Sequence, residues 1–207
     1  MTIPAYLEVG TKRVFASAID WPGWTRAGKT EADALAALEA YAPRYAPVAR
    51  LAGLSLPPPA FKVVERVKGN ATTEFGAPAI PTKADSEPMT KAQADRLCGL
   101  LEASWKTFDA VAARSPASLR KGPRGGGRDR DKMVDHVLGA EAGYQRYLGL
   151  RTPQPKLGDT KAITSFRAAI LDAVRGPSAG MRWPPPYMIR RIAWHALDHA
   201  WEIEDRS

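Results

Sequence analysis

The sequence is poor in the residues from which many catalytic and structural metal sites are built. It holds one cysteine, Cys98, and three histidines among 207 residues. A single cysteine excludes an internal disulfide and any cluster of cysteine ligands. Because Leu97 and Leu101 are its apolar neighbours on a helical pattern, Cys98 is expected to be a small buried residue rather than a nucleophile.

The sequence also lacks any run of about 18 apolar residues and a charged-then-apolar amino terminus. We therefore expect neither a membrane span nor a secretory signal, and we expect a cytoplasmic protein. Hydrophobic residues make up 44% of the chain, which is enough to bury a core. The length allows one large domain or two small ones.

The basic excess, a net charge of +8, is unevenly distributed. The glycine-arginine loop, residues 119–131, contains a cluster of basic side chains interrupted by glycines. A local cluster indicates an anion site more than a broad surface for duplex nucleic acid, so nucleic acid is not the expected partner. The basic residues of the cluster are Arg120, Lys121, Arg124, Arg128 and Arg130.

The first 67 residues have the pattern of a small α+β unit, ββαβ in chain order. β-Branched and aromatic residues predict its strands. Thr30, with the acidic Asp33 three places on, predicts the start of its helix. The predicted elements are strands at 6–9 and 13–19, a helix from 31 to about 42 and a strand at 61–67.

Residues 68–89 have the glycine and proline content of a linker, and helical patterns follow them. Four successive helices predict an all-α, up-and-down four-helix bundle over residues 90–207, and the core of such a bundle can hold a metal site. The predicted helices cover residues 90–113, 131–148, 160–175 and 188–205.

All three histidines fall on two of these helices. His195 and His199 are four residues apart, so their rings lie about 40° apart around the helix and roughly 6 Å apart along it. With His136 they predict a site for zinc, nickel or manganese that has open positions for water or substrate. Ala196 stands where a zinc-protease signature requires glutamate. The alternative is that the histidines are hydrogen-bonded core residues.

Charged residues near the histidines are candidates for supporting roles. Glu202 and Asp198 can assist catalysis or orient an imidazole, or they can belong to a solvated helix face. Arg124 and Arg128 in the glycine-arginine loop, together with Arg191, are candidate contacts for a phosphate or carboxylate. The alternative for the loop is a solvated segment that binds no ligand.

The aromatic residues of the carboxyl-terminal half are of two kinds. Trp183 and Tyr187 belong to the loop that enters the last helix and are candidates for a pocket wall. Tyr144, Tyr147 and other aromatics within the helices are expected in the core.

Two family resemblances add to these patterns. Asp20-Trp-Pro-Gly23, followed by Gly28, Thr30 and Ala34-Leu35, resembles the HicB-type antitoxin fold. This resemblance covers residues 1–67 and implies a unit that docks a protein partner or nucleic acid, or a plain accessory domain.

Residues 90–207 resemble the DinB-like superfamily of metal-dependent enzymes, through Asp135-His-Val-Leu-Gly-Ala-Glu141 and Trp194-His-Ala-Leu-Asp-His199. The resemblance implies a four-helix bundle, often dimeric, with a metal, often nickel or zinc, on His136, His195 and His199. It also implies S-transfer with a low-molecular-weight thiol such as mycothiol, bacillithiol or glutathione, or hydrolysis or isomerisation.

Two functions follow as hypotheses. The first is a metal-dependent enzyme that activates a thiol or water for S-transfer or hydrolysis on a small anionic substrate. The alternative is a non-enzymatic binding or regulatory protein whose HicB-like unit docks a protein partner or nucleic acid. The two differ in whether the histidines tolerate replacement.

Overall fold

The computed structural model describes residues 2–122, 127–178 and 180–207. Within them the chain is α+β, as predicted: a small mixed sheet near the amino terminus is followed by helices. The strands are β1 (Ile3–Val9), β2 (Val14–Ala18), β3 (Thr25–Gly28) and β4 (Phe61–Lys68), and the helices are α1 (Glu31–Ala40), α2 (Ala42–Leu51), α3 (Ala71–Phe75), α4 (Lys91–Arg114), α5 (Arg130–Tyr144), α6 (Thr160–Arg175) and α7 (Pro185–Arg206).

The sheet has the strand order β3-β2-β1-β4. β1 and β2, which correspond to the first two predicted strands, form an antiparallel hairpin, and β4 pairs in parallel with β1 on the other side. A parallel pair needs a crossover connection, which α1 and α2 provide here. The predicted start of α1 is confirmed: Thr30 Oγ1 accepts a hydrogen bond from Asp33 N, and Asp33 Oδ2 accepts one from Thr30 N, each 3.1 Å long.

Two elements of this unit depart from the predicted ββαβ order. β3 has only four residues and no apolar alternation, so its pairing with β2 is what defines it as a strand. α2 contains two prolines, and prolines disfavour a helix, so the sequence did not predict one in this segment. Pro43 lies in the first turn, where its missing N–H costs little, and the burial of Tyr45 and Val48 stabilises the helix around Pro47.

The segment 68–89, predicted as a linker, contains α3 and one turn of 3-10 helix at Lys83–Ser86. Asp85 in that turn is buried and forms an ion pair with Arg190 of α7. The Glu8 carboxylate of β1 accepts hydrogen bonds from the N–H groups of Ala79 and Ile80. The segment therefore connects the sheet to α7 through specific contacts, whereas the division of the chain into two domains stays a prediction.

Helices α4 to α7 share a hydrophobic core, and α7 also packs against the sheet. Trp194 of α7 meets Phe15 of β2 edge to face at 6.1 Å, while Leu197 and Trp201 belong to the core beneath the sheet. The core shared by the helices buries the apolar stripe of α4, namely Leu97, Leu101, Trp105 and Phe108. α7 therefore links the two parts of the molecule.

Cys98 is fully buried, as predicted, and burial raises the pKa of its thiol to about 11. A thiol with so high a pKa is not a nucleophile near neutral pH. Among the described residues, no helix is both long enough and apolar enough to cross a membrane.

Candidate metal centre

Helices α5 and α7 bring the three histidines together. One ring nitrogen from each of His136, His195 and His199 lies within 4.8 Å of the others. The ring centroids of His195 and His199 are 4.6 Å apart, and that of His136 is 5.0 Å from each. The helical period makes the first pair neighbours, and the packing of α5 on α7 adds the third ring. The predicted convergence of the histidines is confirmed.

The surroundings of His136 and His195 favour uncharged imidazoles. Burial, followed by repulsion from His199 and Arg128, lowers the pKa of His136 to about 4. Burial, followed by repulsion from His199 and Arg191, holds the pKa of His195 well below its usual range. Because neutral imidazole is the form that donates a lone pair to a metal, both rings are ready to act as ligands at neutral pH.

Glu202 orients one of these rings. His199 Nδ1 and Glu202 Oε2 lie 3.0 Å apart, and this contact is the main cause of the lowered pKa of the Glu202 carboxyl. A carboxylate on Nδ1 leaves Nε2 as the lone-pair nitrogen and increases its basicity, an arrangement that is common around metal-bound histidines. Glu202 therefore lies beside an imidazole, while the supporting role in catalysis stays a prediction.

Arg206 supports Glu202 and was not predicted from the sequence. Its Nη1 donates to Glu202 Oε1 at 2.8 Å, and its Nε and Nη1 donate to the carbonyl oxygens of Arg120 and Arg128 at 2.7 and 2.8 Å. Gly127 has φ of +125°, and a Cβ there would lie only 2.6 Å from Arg206 Cζ. Arg206 therefore connects the glycine-arginine loop to His199. The four-residue spacing from Glu202 was the available signal.

Asp198 has a different partner from the one predicted. Its Oδ1 accepts a hydrogen bond from Arg26 Nη1 of β3 at 2.9 Å, and no hydrogen bond joins it to a histidine within the described ranges. On a helix, position 198 is rotated about 60° from His195, whereas Glu202 is rotated only about 20°. The structure thus places Asp198 in the contact between α7 and the sheet.

Three arginines were predicted as contacts for a phosphate or carboxylate, and the two that the structure describes have different surroundings. Arg128 is exposed and lines a cavity of about 530 Å³ together with His136 and Asp135. Arg191 is buried on α7, with its guanidinium 4.9 Å from the Tyr144 ring and 4.6 Å from the Trp194 ring. Arg124 lies outside the described residues.

The predicted pocket-wall aromatics and the predicted core aromatics form one cluster. Trp183 stacks on Tyr147 with ring centroids 4.3 Å apart and meets Tyr187 edge to face at 5.0 Å. Tyr144 lies 5.6 Å from Trp183 and 6.0 Å from His195. An aromatic wall therefore reaches from the loop before α7 to the histidines.

The donor set fits a divalent transition metal. It offers three nitrogens and, within the cluster, no carboxylate, which suits zinc or nickel better than calcium or magnesium. His195 Nδ1 is buried with no hydrogen-bond partner among the described residues, so one nitrogen of this ring is available without loss of an existing contact. His199, by contrast, is already held by Glu202.

Comparison with protein-family models, with curated proteins and with solved structures gives no significant match.

Proposed function

We propose that this chain is a metal-dependent enzyme of the DinB-like type, in which α4 to α7 form an up-and-down four-helix bundle behind a HicB-like unit. It activates a thiol or water for S-transfer or hydrolysis on a small anionic substrate. The observation that supports the proposal most is the approach of three imidazole nitrogens to within 4.8 Å of one another. Three neutral ligands leave coordination positions open, which is typical of catalytic rather than structural zinc sites.

His136, His195 and His199 would hold the ion, with zinc or nickel as the first candidates and manganese as the third. When bound, such an ion lowers the pKa of a coordinated water or thiol and polarises an electrophile. Glu202 fixes the orientation of His199. Arg128, at the mouth of the cavity beside His136, attracts the carboxylates of a substrate or of a low-molecular-weight thiol.

The first experiment measures metal content by elemental mass spectrometry in protein purified without a histidine tag. We expect about one zinc, nickel or manganese ion per chain, and its loss in His136→Ala and in His195→Ala. Asp198→Asn is the matched control on the same helix and should keep the metal, since Asp198 bonds to Arg26. A wild-type protein that carries no ion and cannot be loaded by added ions would contradict the proposal.

The alternative is a non-enzymatic protein whose HicB-like unit docks a protein partner or nucleic acid. Its support is β4, an edge strand that exposes Lys62, Val64 and Lys68 on one side. Unpaired edge strands are sites of strand addition by partners. On this alternative, the histidine substitutions leave partner binding unchanged, whereas substitutions on β4 weaken it.

A further inference from the structure

One stripe of α7 carries three buried polar groups in succession. Tyr187, Arg191 and His195 follow one another at four-residue spacing, so they lie on one side of the helix about 6 Å apart along its axis. Their exposed fractions are 1%, 8% and 7%. Tyr187 Oη, Arg191 Nη1 and His195 Nδ1 are each buried without a hydrogen-bond partner in the described part of the chain.

Such groups are unfavourable in a protein that binds nothing there. A buried donor without an acceptor loses its hydration without compensation, and the loss is larger for a charged group. Native proteins therefore keep few of them. His195 is a candidate metal ligand, and the unpartnered Arg191 Nη1 and Tyr187 Oη beside it indicate a place for a second ligand.

Arg191 is the charged member of the row and lacks a carboxylate partner. The adjacent Arg190 forms an ion pair with Asp85, but no carboxylate lies within ion-pair distance of Arg191 among the described residues. Burial raises the pKa of the Glu8 carboxyl and the charge of Arg191 opposes that rise, but the Glu8 oxygens already accept hydrogen bonds from the Thr73 hydroxyl and from backbone N–H groups. The positive charge of Arg191 is therefore left without a direct counter-ion.

The guanidinium of Arg191 is nevertheless held in place. It lies 4.9 Å from the Tyr144 ring centroid and 4.6 Å from that of Trp194, which is the distance range of cation–π contacts. A cation fixed in this way, with Nη1 still unpartnered, can donate to an anion and loses little entropy when the anion binds.

Trp183 marks the side from which a ligand would approach. It is only partly buried, and it contacts Tyr187 and Tyr144 on one side. It also lines a cavity of about 760 Å³, whose wall includes Met181 and Pro186. Trp183 thus belongs both to the wall of this cavity and to the aromatic cluster that contacts the polar row of α7.

We propose that Arg191 Nη1 and Tyr187 Oη bind the carboxylate of a small organic acid, with Tyr144 and Trp183 as the walls and His195 one helical turn away. One guanidinium and one neutral hydroxyl match the charge and the two oxygens of a carboxylate. A phosphate dianion carries one more negative charge than a single guanidinium can offset, which favours a carboxylate. The identification of this acid as the substrate rests on the proposed function, whereas the binding of a carboxylate does not.

The test uses metal-free, full-length protein, so that a carboxylate cannot bind through the metal. Benzoate is titrated and followed by tryptophan fluorescence and by calorimetry, with benzamide as its uncharged analogue. We expect saturable benzoate binding that is at least about tenfold weaker for benzamide and for Arg191→Gln, since each removes a charge-assisted hydrogen bond. Tyr187→Phe should weaken it about three- to tenfold. Arg151→Gln removes an exposed arginine and should change nothing.

Several outcomes would overturn the proposal: no saturable benzoate binding, equal binding of benzamide, unchanged affinity in Arg191→Gln, or displacement of benzoate by phosphate at equal affinity. Should Arg191→Gln fail to fold, as judged by circular dichroism, Tyr187→Phe carries the test alone. Carboxylate binding in a protein that never takes up metal would support this subsite while contradicting the proposed enzyme. Uptake of metal by a protein that does not bind the carboxylate would contradict this subsite while supporting the metal site of the proposed enzyme.

Discussion

Arg167 and Arg191 are buried to nearly the same extent, at 7% and 8% exposure, yet their surroundings differ. Each guanidinium lies over an aromatic ring, Trp105 for the first and Tyr144 for the second. Arg167 also forms ion pairs with Glu141 at 3.3 Å and Asp109 at 2.7 Å, whereas Arg191 has no such partner within the described ranges. Since this fold provides carboxylate partners for one buried arginine, the lack of such a partner at Arg191 indicates a ligand site rather than a structural ion pair.

The network around Arg167 is complete in itself. Glu141 accepts hydrogen bonds from Trp105 Nε1 at 2.8 Å and from Arg167, so its carboxylate connects α4, α5 and α6. Burial raises the pKa of the Glu141 carboxyl, and Arg167 opposes that rise. A network whose members satisfy one another stabilises the packing of the helices and leaves no group for a ligand. Stability and binding are thus assigned to different arginines.

The largest expected difference is in the free energy of unfolding, when Arg167 and Arg191 are replaced by methionine one at a time. Arg167→Met leaves the Glu141 carboxylate buried without its counter-ion and should lower the free energy of unfolding by about 3–5 kcal/mol. Arg191→Met removes a charge that has no ion pair and should lower it by less than about 1 kcal/mol. Urea unfolding followed by circular dichroism measures both. Equal losses would show that Arg191 is structural.

Another buried arginine, Arg206, forms an ion pair with Glu202, the carboxylate that contacts His199 of the candidate metal centre. Arg206→Ala should lower metal affinity about tenfold, because Glu202 would no longer be fixed against His199. Competition with a chelating dye measures the affinity. The matched control is Arg114→Ala, which removes an exposed arginine paired with Glu204. The role assigned to Arg206 is wrong if the two variants bind metal with the same affinity.

The contrast between paired and unpaired groups extends to two buried tyrosines. Tyr45 Oη donates to the Pro22 carbonyl at 2.7 Å, while Tyr187 Oη has no partner among the described residues. Tyr45→Phe should lower the free energy of unfolding by about 1 kcal/mol, whereas Tyr187→Phe should leave it unchanged or raise it slightly. Thermal or urea unfolding of the two variants without ligand decides this. A loss in Tyr187→Phe as large as that in Tyr45→Phe would weaken the argument for a ligand.

Cys98 should give the smallest effect, because a buried thiol behaves as an apolar group and needs no partner. Burial raises its pKa to about 11, so native protein at pH 7 should react with a thiol reagent only as fast as it unfolds. Cys98→Ala should leave metal content unchanged. The rate of reaction, with and without urea, provides the measurement. Rapid labelling of the native protein would contradict this assignment.

The sequence predicted best where neighbours along the chain decide the structure. The capping box at Thr30 places the start of α1 because both of its partners lie within one turn. β3 and α2 were missed since a four-residue strand is defined by pairing with β2 and a helix with two prolines is stabilised by packing. The segment 68–89 looked like a linker from its prolines, although its contacts with β1 and α7 are specific.

The sequence by itself determined that Arg191, His195 and His199 lie along one side of a helix, whereas Tyr187, predicted in the loop before that helix, lies in its first turn. Local backbone hydrogen bonds set a period of about 3.6 residues, so no distant contact is needed. Tertiary structure alone decided that His136 lies beside His195 and His199 and that Arg26 forms an ion pair with Asp198. It also decided that no carboxylate in the described residues forms an ion pair with Arg191. Those outcomes depend on which helix faces pack together, and packing is set by the whole core rather than by spacing along the chain.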